Sequence, residues 1–278
     1  MKQAVDIRQL RVLAVDVDGT LTVPGTNEVP EQVLAALRQF VSTGRVLVLA
    51  TGKKFTSVKC LCESLELRGP LIACNGSLVH DAQSGRILKA RFLPSELYVS
   101  VLEALAPYLS RSVAVFTESD IVCCSCNYAS HLLTAIGEPT TRFVASLREL
   151  AQEPVAKILV APSPPAELRQ VKHLLIASFG DRLSVTITSE LFVEVMAGET
   201  SKGAALKDLA DGMGFTKDQI GCIGDSDNDL SMFAVSGLRI AVANASRAVL
   251  MAADIVVPSA LDGGAAEAVY RTVAGRQQ

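Results

Sequence analysis

Residues 11–20 read Arg-Val-Leu-Ala-Val-Asp-Val-Asp-Gly-Thr. Arg11–Val17 reads as a strand whose stretch Val12-Leu13-Ala14-Val15 is apolar without alternation, the pattern of a strand buried on both faces. It ends on two acids. Asp16 and Asp18 stand at i and i+2, so at a strand end both carboxylates point to the same side. Two acids that close repel each other unless a cation sits between them. A doubly buried strand also implies neighbours of the same kind, reached through helical crossovers.

The rest of the chain supplies them. A helix spans Glu31–Val41, with Val33, Leu34, Leu37 and Phe40 on one face, and Val46–Ala50 is the next strand. A second helix runs from about Lys54 to Leu67, and Leu71–Cys74 is a third strand. From Ser77 to about Val195 the strands arrive in pairs: Ser77–His80 with Ile87–Arg91, Val113–Thr117 with Ile121–Cys126, and Leu183–Thr188 with Leu191–Met196. Turn signals such as Asn75-Gly76, Ser84-Gly85 and Ser119-Asp120 punctuate them, which implies antiparallel sheet. Strand–helix alternation then resumes through helix Lys202–Gly214, strand Ile220–Gly224, helix Asp227–Val235, strand Arg239–Val242, helix Arg247–Met251, strand Ile255–Val257 and a last helix near Gly264–Ala274. The expected fold is α/β, a Rossmann-like, mostly parallel sheet core with an inserted α+β domain. The core takes residues 1–80 and 190–278, and the insertion takes 81–189.

Composition narrows the function. The chain has 278 residues, enough for two nested domains, with 49 % hydrophobic and 20 % charged residues, which excludes a disordered chain. A net charge of −3, no Trp, 4 Tyr and 9 Phe argue against nucleic acid as a partner, since neither a basic footprint nor base-stacking rings are present. No apolar run reaches the ~18 residues of a membrane span, so no membrane partner is expected. Met1–Leu10 lacks a signal-peptide apolar region, so a cytoplasmic protein is expected. The seven cysteines (60, 62, 74, 123, 124, 126, 222) then read as small core residues rather than bridges.

Polar residues gather where core strands end, which is where open parallel sheets bind ligands. Besides Asp16 and Asp18 these are Thr51-Gly52 after Val46–Ala50, Lys202 at a helix start, and Gly224-Asp225-Ser226-Asp227-Asn228-Asp229 after Ile220–Gly224. Asp227 reads as a helix cap, but three acids in five residues exceed capping needs. An oxygen-only donor set from Asp16, Asp18 and Asp225, without His or Cys, suits Mg²⁺ rather than Zn²⁺. A metal, a lysine, a hydroxyl and exposed N–H groups together suit a phosphate.

In order and wording these clusters resemble the haloacid dehalogenase superfamily: Asp-x-Asp-Gly-Thr (Asp16, Asp18, Gly19, Thr20), a strand ending in Thr51-Gly52, Lys202, and Gly-Asp-Ser-x-Asn-Asp (Gly224–Asp229). The Asn75-Gly76 turn and Ala243-Asn244-Ala245 are most similar to its Cof-type subfamily, which inserts a large α/β cap after the third core strand. The resemblance implies a phosphatase of small phosphorylated metabolites, such as sugar phosphates or phosphorylated cofactors. Asp16 would be the nucleophile that forms an aspartyl-phosphate, and Asp18 the acid and base. Asp16, the Asp18 carbonyl and Asp225 would hold Mg²⁺. Asp229, with Asn228, would orient water ligands or Lys202, and Thr51 and Lys202 would neutralise the transferring group. Gly19, Gly52, Asn75 and Asn228 join the phosphate- and substrate-binding set, and Thr20–Gly25 would form a hairpin flap. Lys53-Lys54 stand where many relatives place an arginine first. The cap would hinge near Ser77–Asp81 and Thr188–Val193 and set specificity. Two alternatives are a hexose-phosphate phosphomutase, on the similar wording Asp-Val-Asp-Gly-Thr-Leu-Thr, and a non-catalytic phosphometabolite-binding protein.

Two other features are set aside. Cys62 and Arg68 have the spacing of cysteine phosphatases, but the stretch between them is helical and has no glycine to cradle phosphate. Cys123, Cys124 and Cys126 cannot all face one side of a strand, so with His131 they assemble a tetrahedral zinc site poorly.

Overall fold

The computed structural model describes residues 9–23, 26–162, 164–188 and 190–274. They form two units, one from residues 1–88 with 201–278 and the other from 89–200. Pro24 and Gly25 of the expected flap lie outside the described residues.

The first unit is built on β1 (Val12–Asp16), buried at every position. It lies between β2 (Val46–Ala50) and a strand from the far end of the chain, Ile220–Gly224, parallel to both. With β3 (Pro70–Ala73), β4 (Leu78–Asp81) and β5 (Ile87–Ala90), and the strands Leu238–Val242 and Ile255–Val257, the sheet has eight strands. Helix α1 (Glu31–Ser42) buries Val33, Ala36, Leu37 and Phe40, the one-face spacing read from the sequence. Helix α2 is Phe55–Ser64.

One expected placement is corrected. The Ser77–His80 strand pairs antiparallel with β3, so β4 and β5 stand at the edge of the core sheet rather than among the strands of the inserted module's own sheet. The turn is tied by Asp81 N–H donating to the Arg86 carbonyl at 2.9 Å. The first division between units consequently falls at Leu88/Lys89, not 80/81. Pairing with β4 keeps the start of β5 with the first unit, and the division falls inside that strand.

The second unit has six strands: β6 (Val113–Thr117), β7 (Ile121–Cys123), β8 (Arg142–Phe143), β9 (Val155–Val160), β10 (Leu183–Thr188) and β11 (Phe192–Ala197), in the order β10-β11-β9-β6-β7-β8. All pairings are antiparallel except β7 with β8. Helices α3 (Ser95–Ala104), α4 (Leu109–Ser112), α5 (Tyr128–Ala135) and α6 (Leu168–Phe179) complete it. Its core joins Leu97, Val101, Val171 and Leu175 of the helices to alternate strand residues such as Val115, Ile158 and Val193. The intervening strand residues turn to the other face, and among them are Lys157 and Glu194. β7 ends at Cys123, short of the expected Cys126, and the β10–β11 hairpin lies whole within the unit, so the second division is at Thr200/Ser201 rather than 189/190.

The chain then completes the first unit with α7 (Lys202–Gly212), β12 (Ile220–Gly224), α8 (Leu230–Val235), β13 (Leu238–Val242), α9 (Arg247–Ala252), β14 (Ile255–Val257) and α10 (Gly264–Ala274). α8 starts later than expected because Asp227–Asp229 form a 3₁₀ turn first. Among the described residues, no helix is long and apolar enough to cross a membrane.

Candidate active site

Because β12, β1 and β2 are adjacent and parallel, with Val15 opposite Ile223 and Asp16 opposite Ala50, their carboxyl ends finish side by side. That register brings Asp16, Thr51 and Asp225 together from three distant parts of the sequence. Lys202 arrives at the first position of α7, whose cap is Ser201, its Oγ accepting from Ala204 N–H at 3.0 Å. The Asn75-Gly76 turn packs on this helix start. Gly76 has φ +98°, and a Cβ there would lie 2.2 Å from the Ser201 carbonyl oxygen, so only glycine permits the approach.

Lys202 is buried. Its Nζ donates to Asp16 Oδ1 at 2.5 Å and to Asp229 Oδ1 at 2.8 Å. Burial opposes its charge, but Asp16 and Asp229 push its pKa well above the ordinary lysine value. Asp229 is committed on its other oxygen too, which accepts the backbone N–H of Asp225 (3.0 Å) and Ser226 (3.1 Å). It therefore fixes both the lysine and the Asp225 loop. Asp225 accepts the hydroxyls of Thr20 and Ser226, each at 3.1 Å.

Asp16, Asp225 and Asp229 each offer one carboxylate oxygen to a group whose three ligand atoms all lie within 4.8 Å of one another. Asp16 Oδ2 is buried, and no hydrogen-bond donor reaches it. Burial first, then the neighbouring carboxylates, raise Asp16 well above the usual carboxylate range, and burial with Asp229 pushes Asp225 up to about 6. An orphaned acceptor among crowded, oxygen-only donors fits a hard divalent cation.

The Asp18 side chain is not part of that group. Its Oδ2 accepts from Thr51 Oγ1 at 3.3 Å, and its Oδ1 pairs with Lys53 Nζ at 2.7 Å. Gly19 has φ +82°, and a Cβ there would meet Asp225 Oδ2 at 2.6 Å. Asn75 and Asn228 bond to each other, Asn228 Nδ2 donating to Asn75 Oδ1 at 2.9 Å, and Gly52 lies against the Asn75 amide. The residues expected around a phosphate thus first hold one another: Thr51 holds Asp18, and Lys202 holds two carboxylates. Asn228 Oδ1 remains buried without a hydrogen-bond partner.

Sequence reasoning missed Lys53 as a partner of Asp18, although its place two residues after Thr51 in the same loop was a usable signal. Asn244, quoted above only within the Ala243-Asn244-Ala245 motif, has a contact that the sequence does not announce: its Nδ2 donates to the Gly19 carbonyl at 2.8 Å while its Oδ1 accepts from Ala260 N–H.

Residues 13–269 match the haloacid dehalogenase-like hydrolase family. The chain is 28 % identical to the pyridoxal phosphate phosphatase of Escherichia coli, over 94 % of this chain and 97 % of that protein. It is 26 % identical to the 5-amino-6-(5-phospho-D-ribitylamino)uracil phosphatase of Bacillus subtilis, over 96 % and 99 %. A haloacid dehalogenase-like hydrolase from Bacteroides thetaiotaomicron superposes with a TM-score of 0.79 at 25 % identity, covering 94 % of this chain and 99 % of that one.

Proposed function

Because the chain belongs to the haloacid dehalogenase-like hydrolase family, we propose that it is a Mg²⁺-dependent phosphatase that hydrolyses small phosphorylated metabolites through an aspartyl-phosphate. The observation that carries this reading is the buried, donor-free Oδ2 of Asp16 beside an ammonium and two further carboxylates. A lone buried carboxylate would be neutralised. Here Lys202 opposes that from one side, and a cation held by the same carboxylates would complete the charge balance that an ionised nucleophile needs.

In the first half-reaction an Asp16 oxygen attacks phosphorus. The ester P–O bond breaks, and its electron pair leaves on the alcohol oxygen, which takes a proton from Asp18. Water then attacks the aspartyl-phosphate and gives a proton back to Asp18. The bond from phosphorus to Asp16 breaks, and inorganic phosphate leaves. Splitting the displacement in two replaces one hard step with two easier ones, and the i, i+2 spacing is what lets one carboxyl attack while its neighbour moves the proton. Asp16, Asp225 and the Asp18 carbonyl would hold Mg²⁺, which supplies positive charge to the phosphoryl oxygens when bound. Asp229 supports that set from behind through Lys202 and the backbone of Asp225 and Ser226.

The relatives act on a phosphorylated vitamin and on a phosphorylated ribityl compound by name, so phosphorylated cofactors, their precursors and sugar phosphates are the substrate classes to try. The choice among leaving groups we assign to residues 89–200. The test is release of phosphate from a panel of such esters with Mg²⁺, ranked by kcat/KM. Asp16→Asn should abolish turnover while the circular dichroism spectrum stays unchanged; retained turnover refutes the nucleophile. A hexose 1-phosphate supplied with a bisphosphate activator separates hydrolysis from transfer, because only transfer accumulates the 6-phosphate.

A further inference from the structure

The proposed mechanism uses Asp16 and Asp18, two residues apart, for different tasks, and the structure gives each its own lysine. Lys202 serves Asp16 from within the carboxylate cluster. Lys53 serves Asp18 from the loop after β2, and the mechanism above gives it no role.

Lys53 is buried among surroundings that expose its partner: its side chain is 9 % exposed and that of Asp18 42 %. Its Nζ lies 2.7 Å from Asp18 Oδ1 and donates to Asn27 Oδ1 at 2.6 Å. The loop itself is well fixed. Lys53 N–H donates to Thr51 Oγ1 at 3.0 Å, the Lys53 carbonyl accepts Cys74 N–H at 2.9 Å, and Thr51 N–H donates to the Ile72 carbonyl at 2.8 Å. One ammonium thus joins a rigid strand end, the proposed proton carrier and the segment that follows the Asp-Gly-Thr turn.

A carboxylate this exposed would otherwise sample several rotamers. With Thr51 on one oxygen and Lys53 on the other, both lone-pair faces of Asp18 are held from the β2 side. A lysine ammonium is a compact charge with three donors, so it can hold the carboxylate and the Asn27 amide oxygen at once. We propose that Lys53 is a positioning residue that clamps Asp18 for proton transfer to the leaving group and ties Asn27 to the same point. This inference rests on the phosphatase reading.

The experiment compares two esters. p-Nitrophenolate leaves without a proton, whereas the alkoxide of β-glycerophosphate needs one, so an acid out of place penalises only the second. Lys53→Met should lower kcat/KM for β-glycerophosphate about 100-fold, the cost of a misplaced catalytic group, and for p-nitrophenyl phosphate less than about fivefold. Lys53→Arg should recover most of the β-glycerophosphate loss. Equal losses on both esters would make Lys53 a phosphate-binding or purely structural residue and overturn the proposal, as would no loss on either. A second readout does not use turnover. Acetylation of lysines, followed by peptide mass spectrometry, should find Lys53 slower than Lys59, whose side chain is 58 % exposed, and faster in Asp18→Asn and Asn27→Ala. Lys53 reacting as fast as Lys59 in the unsubstituted protein overturns the clamp. If the unsubstituted protein hydrolyses neither ester, the phosphatase reading fails, and the acetylation result still decides whether the clamp exists.

Discussion

Substituting Glu194 by Gln should destabilise residues 89–200 severely, and by a calculable amount. On the sheet face turned away from the apolar core, Lys157 Nζ lies 3.0 Å from Glu194 Oε1, with the side chains 1 % and 5 % exposed. Thr188 Oγ1 donates to the same oxygen at 3.2 Å, and the ammonium stands 4.2 Å from the centre of the Phe116 ring. Gln keeps the shape and an acceptor for Thr188 but deletes the charge, leaving a desolvated ammonium without this counter-charge. Breaking a buried pair from one side costs about 3–5 kcal/mol. For a unit of about 110 residues the unfolding entropy converts each kcal/mol into about 4 °C, so its transition should fall by about 12–20 °C. Differential scanning calorimetry of the full chain, fitted with separate transitions because two units need not melt together, measures this. Removing both charges in Lys157→Met/Glu194→Leu should return the transition to within about 1 kcal/mol of the parent or above it, because well-packed apolar pairs match buried ion pairs. A Glu194→Gln variant within about 1 kcal/mol of the parent would refute the reasoning, as would a double variant no better than the single.

Two further outcomes are expected. Asp225→Asn should weaken Mg²⁺ at least about tenfold, read as the Mg²⁺ concentration that half-restores phosphate release after chelation; an unchanged midpoint would remove Asp225 from the metal set. Burial pushes the thiol of Cys222 up to about 12 and that of Cys62 up to about 11. Since the thiolate is the reactive form, both should resist a disulfide reagent from pH 7 to 9 in the folded chain, while exposed Cys60 and Cys126 react. Labelling of folded Cys222 at pH 9 would contradict this.

Much of the site was legible because it is written in local patterns. The buried run 12–16 announces a central strand, and acids at i and i+2 at its end announce a charged cleft. What escaped depends on partners far apart in sequence. Asn75 and Asn228, read separately as substrate contacts, are each other's hydrogen-bond partners across 153 residues. Lys53 is an ordinary loop lysine until β1 and β2 pair and set it against Asp18. That β4 and β5 extend the core sheet is not written in the Ser84-Gly85 turn, because a turn signal identifies a hairpin without saying which sheet its edge joins. The 3₁₀ start of α8 follows from Asp229, whose side chain is taken by the N–H groups of Asp225 and Ser226 and so shapes a tight loop in place of a regular first turn.

The pairing of β1 with both β2 and β12 also orders events during synthesis. β1 and β2 leave the ribosome close together, but the other neighbour of β1 is translated about 200 residues later, and the parts of a chain that emerge first begin to fold before the rest. Through that interval one edge of a fully buried strand waits without its partner, while residues 89–200, continuous in sequence, can complete their own sheet. An unpaired apolar edge is a template for other chains. Truncation anywhere before Ile220 should therefore yield aggregating protein rather than a smaller active one, and expression at low temperature or with a chaperone should matter most for the last quarter of the chain.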